Sequence, residues 1–413
     1  MSNLKINQDR LWDTLMEMAK IGATAKGGNK RLALTDLDAE ARALFKSWCE
    51  EAGLEVGVDQ MGSMFARRPG RNRDLAPVIA GSHLDTQPTG GRFDGVLGVL
   101  AGLEVARTLN DAGIETERPI EIVNWTNEEG TRFSPPMISS GVFAGAFTID
   151  EAHAIQDEDG LTLGAELERI GYKGDEAVGG RDIHACFELH IEQGPILEAE
   201  EKTIGVVTLA MGQRWFEVSV TGEEAHAGPT PMWRRKDALV GAARMIDLVN
   251  RIGFESGNDA HATVGVIKIE PASRNVIPGS AWFTVDFRHP DDATLADMED
   301  KLRKGCAKLA ETSQVDVKVK SFWSTKPQPF AEDLVDRVRE SAEAHGYSHR
   351  DIASGAGHDA VYVARVAPTA MIFVPCENGI SHNEAENATP EDCAAGTNVL
   401  LRCVLETAGA VST

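Results

Sequence analysis

The segment PVIAGSHLDTQPTGGRFDGVLG, residues 77–98, begins as an unbroken apolar run, breaks into polar residues and glycines, and continues as a helical apolar pattern from about Gly95 to Leu109. A short apolar run bounded in this way reads as a buried strand feeding a helix. Working outward, the same theme recurs in PIEIVNWTNEEG (119–130), ACFELHIEQG (185–194) and APTAMIFVPCENGISHNE (367–384), each an apolar strand that ends in a polar cluster. Open α/β sheets collect ligands at the carboxyl ends of their strands, so the four clusters are expected to converge on one crevice. Two helices, over about 8–20 and 36–53, precede this region.

Between about 213 and 323 the pattern changes. Strand 214–221, helix 234–251, strands 262–269 and 281–287, helix 291–312 and strand 315–321 follow one another in the order βαββαβ, a ferredoxin-like split unit. The chemical clusters lie on both sides of it. The expected fold class is therefore α/β, with a discontinuous domain of residues 1–212 and 324–413 and a smaller α+β domain inserted at 213–323.

A chain of 413 residues exceeds a single hydrophobic core, in keeping with two domains. With 41 basic against 64 acidic residues the net charge is −23, a field that repels phosphate backbones and anionic bilayers. Neither nucleic acid nor membrane is expected as a partner. The N-terminal stretch mixes charges into its apolar positions, unlike a leader peptide, and no segment holds enough consecutive apolar residues to span a bilayer. Six cysteines without CxxC spacing suit reduced thiols, and the expected location is cytoplasmic.

The clusters supply the chemistry. HLDT offers His83 and, two residues on, Asp85, whose carboxylate could hold the ring nitrogen turned away from a metal. GGRFDG sets Asp94 among glycines that permit close backbone approach. NEEG puts Glu128 beside Glu129; burying both calls for a cation or a proton, and the pair suits a base next to a metal ligand. ELHIEQG adds His190, Glu192 and Gln193, and ISHNEAE adds His382, Asn383 and Glu384. Singly, each reads equally as a turn or a satisfied polar residue. Together, His83, Asp94, Glu129, His190 and His382 make five nitrogen and oxygen donors suited to Zn²⁺, Mn²⁺, Co²⁺ or Ni²⁺. One bridging carboxylate with two further ligands per ion describes a two-metal site.

GSHLDTQPTGGRFDGVLG, NWTNEEGTRF, ELHIEQGPILE, EAHAGPTPM, RNVIPG, DFRHP and SGAGHDA with SHNE resemble the amidase branch of the M20 metallopeptidase-like superfamily, which holds N-carbamoyl-L-amino-acid hydrolases, bacterial β-ureidopropionases and allantoate amidohydrolases. The match runs collinearly from about residue 8 to 407. It implies a zinc-peptidase-like catalytic domain with an inserted dimerisation, or lid, domain. It further implies that His83, Asp94 and His190 hold one metal and Asp94, Glu129 and His382 the other, with Asp94 bridging and Asp85 orienting His83. Glu128 would be the general base. Gln193, Gln213, Asn275, Arg288 and Gly357 match substrate contacts, and His226 matches a histidine delivered by the partner subunit of a homodimer to stabilise an oxyanion. His190, where aminopeptidase and desuccinylase relatives usually carry a carboxylate, points to the amidase branch.

The resemblance thus implies a hydrolase with two divalent ions per chain that cleaves the ureido group of a small N-carbamoyl amino acid to the amino acid, ammonia and carbon dioxide. Arg288 could clamp the substrate carboxylate through two parallel hydrogen bonds. Allantoate, which also pairs a ureido group with a carboxylate, is the alternative substrate. A dipeptidase or aminoacylase, and a metal-free binding protein on the same fold, are the remaining alternatives.

Overall fold

The computed structural model describes residues 4–411; residues 1–3 and 412–413, the outer ends of the expected discontinuous domain, lie outside the described residues. The chain divides into two compact units, one running up to Thr208 and resuming at Phe330, the other Leu209–Pro329. Both joints differ by a few residues from the expected 212/213 and 323/324. The inserted strands are longer than their apolar cores suggest: Gly212–Thr221 and Asp316–Thr325 pair along their lengths, with Gln213 opposite Thr325.

In the first unit the strands Ile120–Trp125, Val78–His83, Ala185–Ile191 and Thr369–Val374 lie side by side, all parallel. Met64–Arg68 and Ile204–Ala210 flank them as antiparallel neighbours. Every residue of the four parallel strands is buried, as expected when both sheet faces are covered. One face packs against helices Val96–Asp111 and Pro390–Ala408. The other packs Ile79, Val123, Trp125 and Cys186 against Phe143 and Val363 from two short helices. Each fully buried large apolar side chain contributes about 1.5–3 kcal/mol. Parallel order has a direct consequence for position: the carboxyl ends at His83, Trp125, Ile191 and Val374 share one edge.

The second unit is antiparallel. Ile267–Glu270, Ser280–His289, Gly212–Thr221 and Asp316–Thr325 neighbour one another in that order. Alternate residues Phe216, Val218, Val220, Phe283, Val285 and Phe287 are buried against Ala242, Met245, Val249, Leu295, Met298 and Leu302 of the helices Ala238–Glu255 and Asp292–Ser313. Asp237 and Asp291 cap those helices by accepting the Val240 and Thr294 N–H groups. The strand expected at 262–269 is two pieces, His261–Thr263 and Ile267–Glu270, both paired with Ser280–His289. Between them the Val266 N–H donates to Thr284 Oγ1 at 3.2 Å, so a side chain replaces a rung of the ladder. No helix among the described residues is long and apolar enough to cross a membrane. All six cysteines are buried and unpaired.

Candidate active site

His83 is the last residue of its strand, and its Nδ1 lies 2.9 Å from the Asp85 backbone carbonyl. A carbonyl only accepts, so Nδ1 carries the proton and Nε2 presents its lone pair to the crevice. His190 is fixed in the same way: Nδ1 donates to the Ile191 carbonyl at 2.9 Å, and Nε2 accepts the Gly95 N–H at 3.2 Å. Both rings are almost completely buried, at 1% exposure. Burial pushes the His83 imidazolium down to about 4, so the ring is neutral, the form a metal requires.

Asp94 stands between these rings and His382. Its Oδ1 is 3.1 Å from His190 Nε2 and 3.7 Å from His83 Nε2, and its Oδ2 is 3.3 Å from His382 Nε2. Glu129 Oε2 lies 3.5 Å from the same His382 nitrogen. Two groups result, His83 with Asp94 and His190, and Asp94 with Glu129 and His382, the donor atoms in each within 4.8 Å of one another. Gly95 makes the first group possible. It sits at φ 68°, and a Cβ there would come within 2.3 Å of His83 Nε2.

Glu128 is 7% exposed, and its Oε2 is 3.4 Å from His83 Nε2. Asn127, at φ 58°, turns the chain so that consecutive glutamates follow the strand end; asparagine tolerates this left-handed geometry better than most residues. Burial, then the surrounding carboxylates of Asp359, Glu129, Asp94 and Asp85, push Glu128 well above the usual carboxylate range. Burial, then Asp94 and Asp85, do the same to Glu129. A Glu129 oxygen, Oε1, is buried without a hydrogen-bond partner. A neutral His83 ring, two further histidines drawn toward the charged form by the Asp94 carboxylate, as a bound cation would be drawn, a carboxylate with one oxygen toward each group, an unpartnered buried oxygen and crowded acidic groups all fit a pair of divalent cations.

Asp85 departs from expectation. Its carboxylate does not hold the His83 ring, since Oδ1 is 3.8 Å from Nδ1, beyond hydrogen-bonding reach. The ring is held by the backbone carbonyl of the same residue, and the carboxylate instead accepts the N–H groups of Glu128 and Glu129, each at 3.2 Å. The physical reason is demand: two consecutive buried amides at the turn need an acceptor, and the ring already has one.

Of the expected substrate contacts in the first unit, Gln193 joins the cluster, its Nε2 donating to Asp94 Oδ2 at 2.9 Å. Gly357 stands against Met137, next to His358, whose ring centroid is 4.5 Å from that of His190. In the second unit, Gln213 and Arg288 face each other across adjacent strands. The Arg288 guanidinium pairs with Asp286, Nη2 to Oδ2 at 2.7 Å. His226 is exposed and neighbours Val276 in a two-stranded ribbon that begins just after Asn275. Its Nδ1 accepts the Gly228 N–H at 3.0 Å, which leaves Nε2–H free to donate.

Several residues that contribute to the site were not singled out in the sequence. Gln87 donates to Glu129 Oε2 at 2.5 Å. Glu188 accepts from Ser82 Oγ at 2.6 Å and the Ala360 N–H at 2.9 Å. It lies two residues before His190 on a buried strand, and period-two alternation could have flagged it as sharing that face. Glu188, His190 and His358 form a third cluster of possible ligands, but there Glu188 is already hydrogen-bonded and His358 Nε2 lies 3.0 Å from Ser354 Oγ. Glu386, buried beneath the His382 loop, accepts the Phe93 and Asp94 N–H groups.

The parallel strands bring histidines and carboxylates to one edge in groups that could hold a metal ion, and the chain belongs to peptidase family M20/M25/M40, whose family model matches residues 79–406. It is 54% identical to an N-carbamoyl-L-amino-acid amidohydrolase of Rhizobium meliloti, covering 98% of each chain. It is 33% identical to an allantoate amidohydrolase of Escherichia coli (strain K12), covering 94% of this chain and 95% of that one. Among solved structures, an amidase of the hydantoinase/carbamoylase family from Burkholderia multivorans superposes with a TM-score of 0.94 at 62% identity, over 98% of each chain.

Proposed function

We propose that the protein is a metal-dependent amidohydrolase acting on N-carbamoyl amino acids, H₂N–CO–NH–R plus water giving H₂N–R, ammonia and carbon dioxide. The observation that carries the chemistry is Asp94, with one carboxylate oxygen turned to His83 and His190 and the other to His382. The choice of substrate is supported by the full-length similarity to the Rhizobium meliloti enzyme.

In this reading His83, Asp94 and His190 hold one divalent ion and Asp94, Glu129 and His382 the other. When bound, such ions supply Lewis acidity and lower the pKa of water towards about 7. Glu128, raised by burial and by neighbouring carboxylates, is suited to take a proton from the attacking water and return it to the leaving nitrogen. Gln193, Gln213, Asn275 and Gly357 orient the substrate, and Arg288 holds its carboxylate, taking over from Asp286. His226 acts across a homodimer interface on the partner's oxyanion, a role supported by its free Nε2–H. Met232 and Trp233, 77% and 78% exposed in the same unit, support the reading of that unit as a dimerisation and lid domain. Six buried reduced thiols support a cytoplasmic location.

Allantoate is the second reading, favoured by the similarity to the Escherichia coli enzyme. Ammonia release from N-carbamoyl-β-alanine, several N-carbamoyl-L-amino acids and allantoate, each with Mn²⁺, Co²⁺, Ni²⁺ and Zn²⁺, tests both. Turnover of an N-carbamoyl amino acid well above that of allantoate is expected. Turnover of allantoate alone would replace the first reading by the second, and turnover of neither would reject both.

A further inference from the structure

Glu386 is 1% exposed, yet it belongs to neither of the two ligand groups assigned above. Both of its oxygens are engaged. Oε1 accepts the backbone N–H groups of Phe93 and Asp94, each at 3.0 Å, and Oε2 accepts the Ser381 hydroxyl at 2.9 Å. One carboxylate therefore ties the peptide that carries Asp94 to Ser381, the residue just before His382, across 287 positions of sequence. Arg92 adds a second tie between the same loops, donating to Asn387 Oδ1 at 2.9 Å. The backbone is shaped around this contact: a Cβ on Gly91 would lie 2.0 Å from Glu386 Cδ and Oε1.

We propose that Glu386 is a positioning residue that clamps the Asp94 loop to the His382 loop, fixing the spacing of these ligands before any cation arrives. The proposal rests on the reading of Asp94 and His382 as ligands and deepens it. A carboxylate offers about four acceptor positions, and here three are filled by donors from the two loops. A buried acid beside Asp94 is unfavourable by itself, because like charges repel and both lack water. The three donors offset that cost, and they are what makes Glu386 an anchor and not another ligand. Ser381 sharpens the point. Its hydroxyl lies 2.9 Å from Glu386 Oε2 and 3.1 Å from Asp94 Oδ2, and its single proton serves one of them at a time. Were Asp94 to hold a cation, that proton would be left to Glu386.

The test uses the full chain, freed of metal, as wild type, Glu386→Ala, Glu386→Gln and Gly91→Ala, with hydrogen exchange read at the Phe93 and Asp94 amides and Mn²⁺ affinity by titration. Glutamine keeps an acceptor for the two amides and an amide group for the Ser381 oxygen, whereas alanine keeps neither. Exchange at the two amides is expected to rise roughly tenfold or more in Glu386→Ala, with Mn²⁺ affinity down by about 10- to 100-fold, the usual effect of removing an outer partner of a ligand. Glu386→Gln is expected to restore both to near wild type. Should Glu386→Ala fail to fold, Gly91→Ala carries the same expectation, since its methyl group displaces the carboxyl. Unchanged exchange in a folded Glu386→Ala, or Glu386→Gln as impaired as Glu386→Ala, overturns the clamp. A wild-type chain that takes up no Mn²⁺ overturns the two-cation reading instead, while the exchange comparison still judges the contact between the loops.

Discussion

Asp85 Oδ1 accepts the Glu128 N–H at 3.2 Å, and the other oxygen of the same carboxylate accepts the Glu129 N–H at the same distance. A buried acid at the end of one strand thus holds the backbone of two glutamates at the end of the next. Asparagine in its place offers one acceptor and one donor, so one of the two amides faces an N–H. Because a hydrogen bond to a charged group contributes about 1.5–3 kcal/mol, Asp85→Asn is expected to lower kcat/KM by roughly 10- to 100-fold. Amide exchange at Glu128 and Glu129 should rise with it. Loss of activity with unchanged exchange at both amides would return Asp85 to the His83 ring.

The two glutamates should separate by experiment. Glu128→Gln is expected to keep its divalent ions while kcat falls by roughly 10² to 10⁴, the value of a positioned base. Glu129→Gln is expected to lose metal first. Metal analysis of both variants alongside kcat checks the assignment, and loss of metal from Glu128→Gln alone would exchange the two roles.

Much of this arrangement was legible because the parallel strands are buried on both faces and so read as apolar runs, with His83, Glu128, His190 and His382 at or just beyond their ends. Other features depend on contacts that no local pattern encodes. Asp85 lies two residues from His83, which suggested a ring contact, but its carboxylate answers to amides 43 and 44 residues away. Glu386 sits two residues beyond Glu384 in the same stretch, yet its two backbone donors lie nearly three hundred residues earlier. The break between Thr263 and Ile267 was invisible because Thr284, on another strand, takes the Val266 N–H.

Arg288 is held by Asp286, at 2.7 Å, and a substrate carboxylate must compete for the same guanidinium. Arg288→Ala is expected to raise KM for N-carbamoyl amino acids by roughly tenfold or more, since a charge-assisted bidentate contact is lost. A ureido compound lacking the carboxylate should be turned over equally by wild type and variant. An equal loss on both substrates would make Arg288 a structural partner of Asp286 only.

Stability should fall as pH rises on account of Asp59. It is 1% exposed, and burial, opposed by the Ser63 and Met61 amides, pushes its carboxyl up from 3.8 to about 7. The folded chain therefore keeps a proton that the unfolded chain releases, and the stability present below about pH 4 is lost as pH climbs through about 7, on the order of a few kcal/mol. Asp59→Asn retains the acceptor for both amides. Its unfolding free energy relative to wild type, from urea melts of the metal-free chains, is expected to improve between pH 5 and pH 8. A pH-independent difference would show that Asp59 is ionised throughout.

The number of ions that accompany activity decides between a two-cation site and any other. Five donors, with Asp94 shared between two groups, predict two divalent ions per chain. Elemental analysis of the protein while it releases ammonia from an N-carbamoyl-L-amino acid should return about two ions per chain, with chelation removing ions and turnover together. A fully active preparation that holds no divalent metal would contradict it.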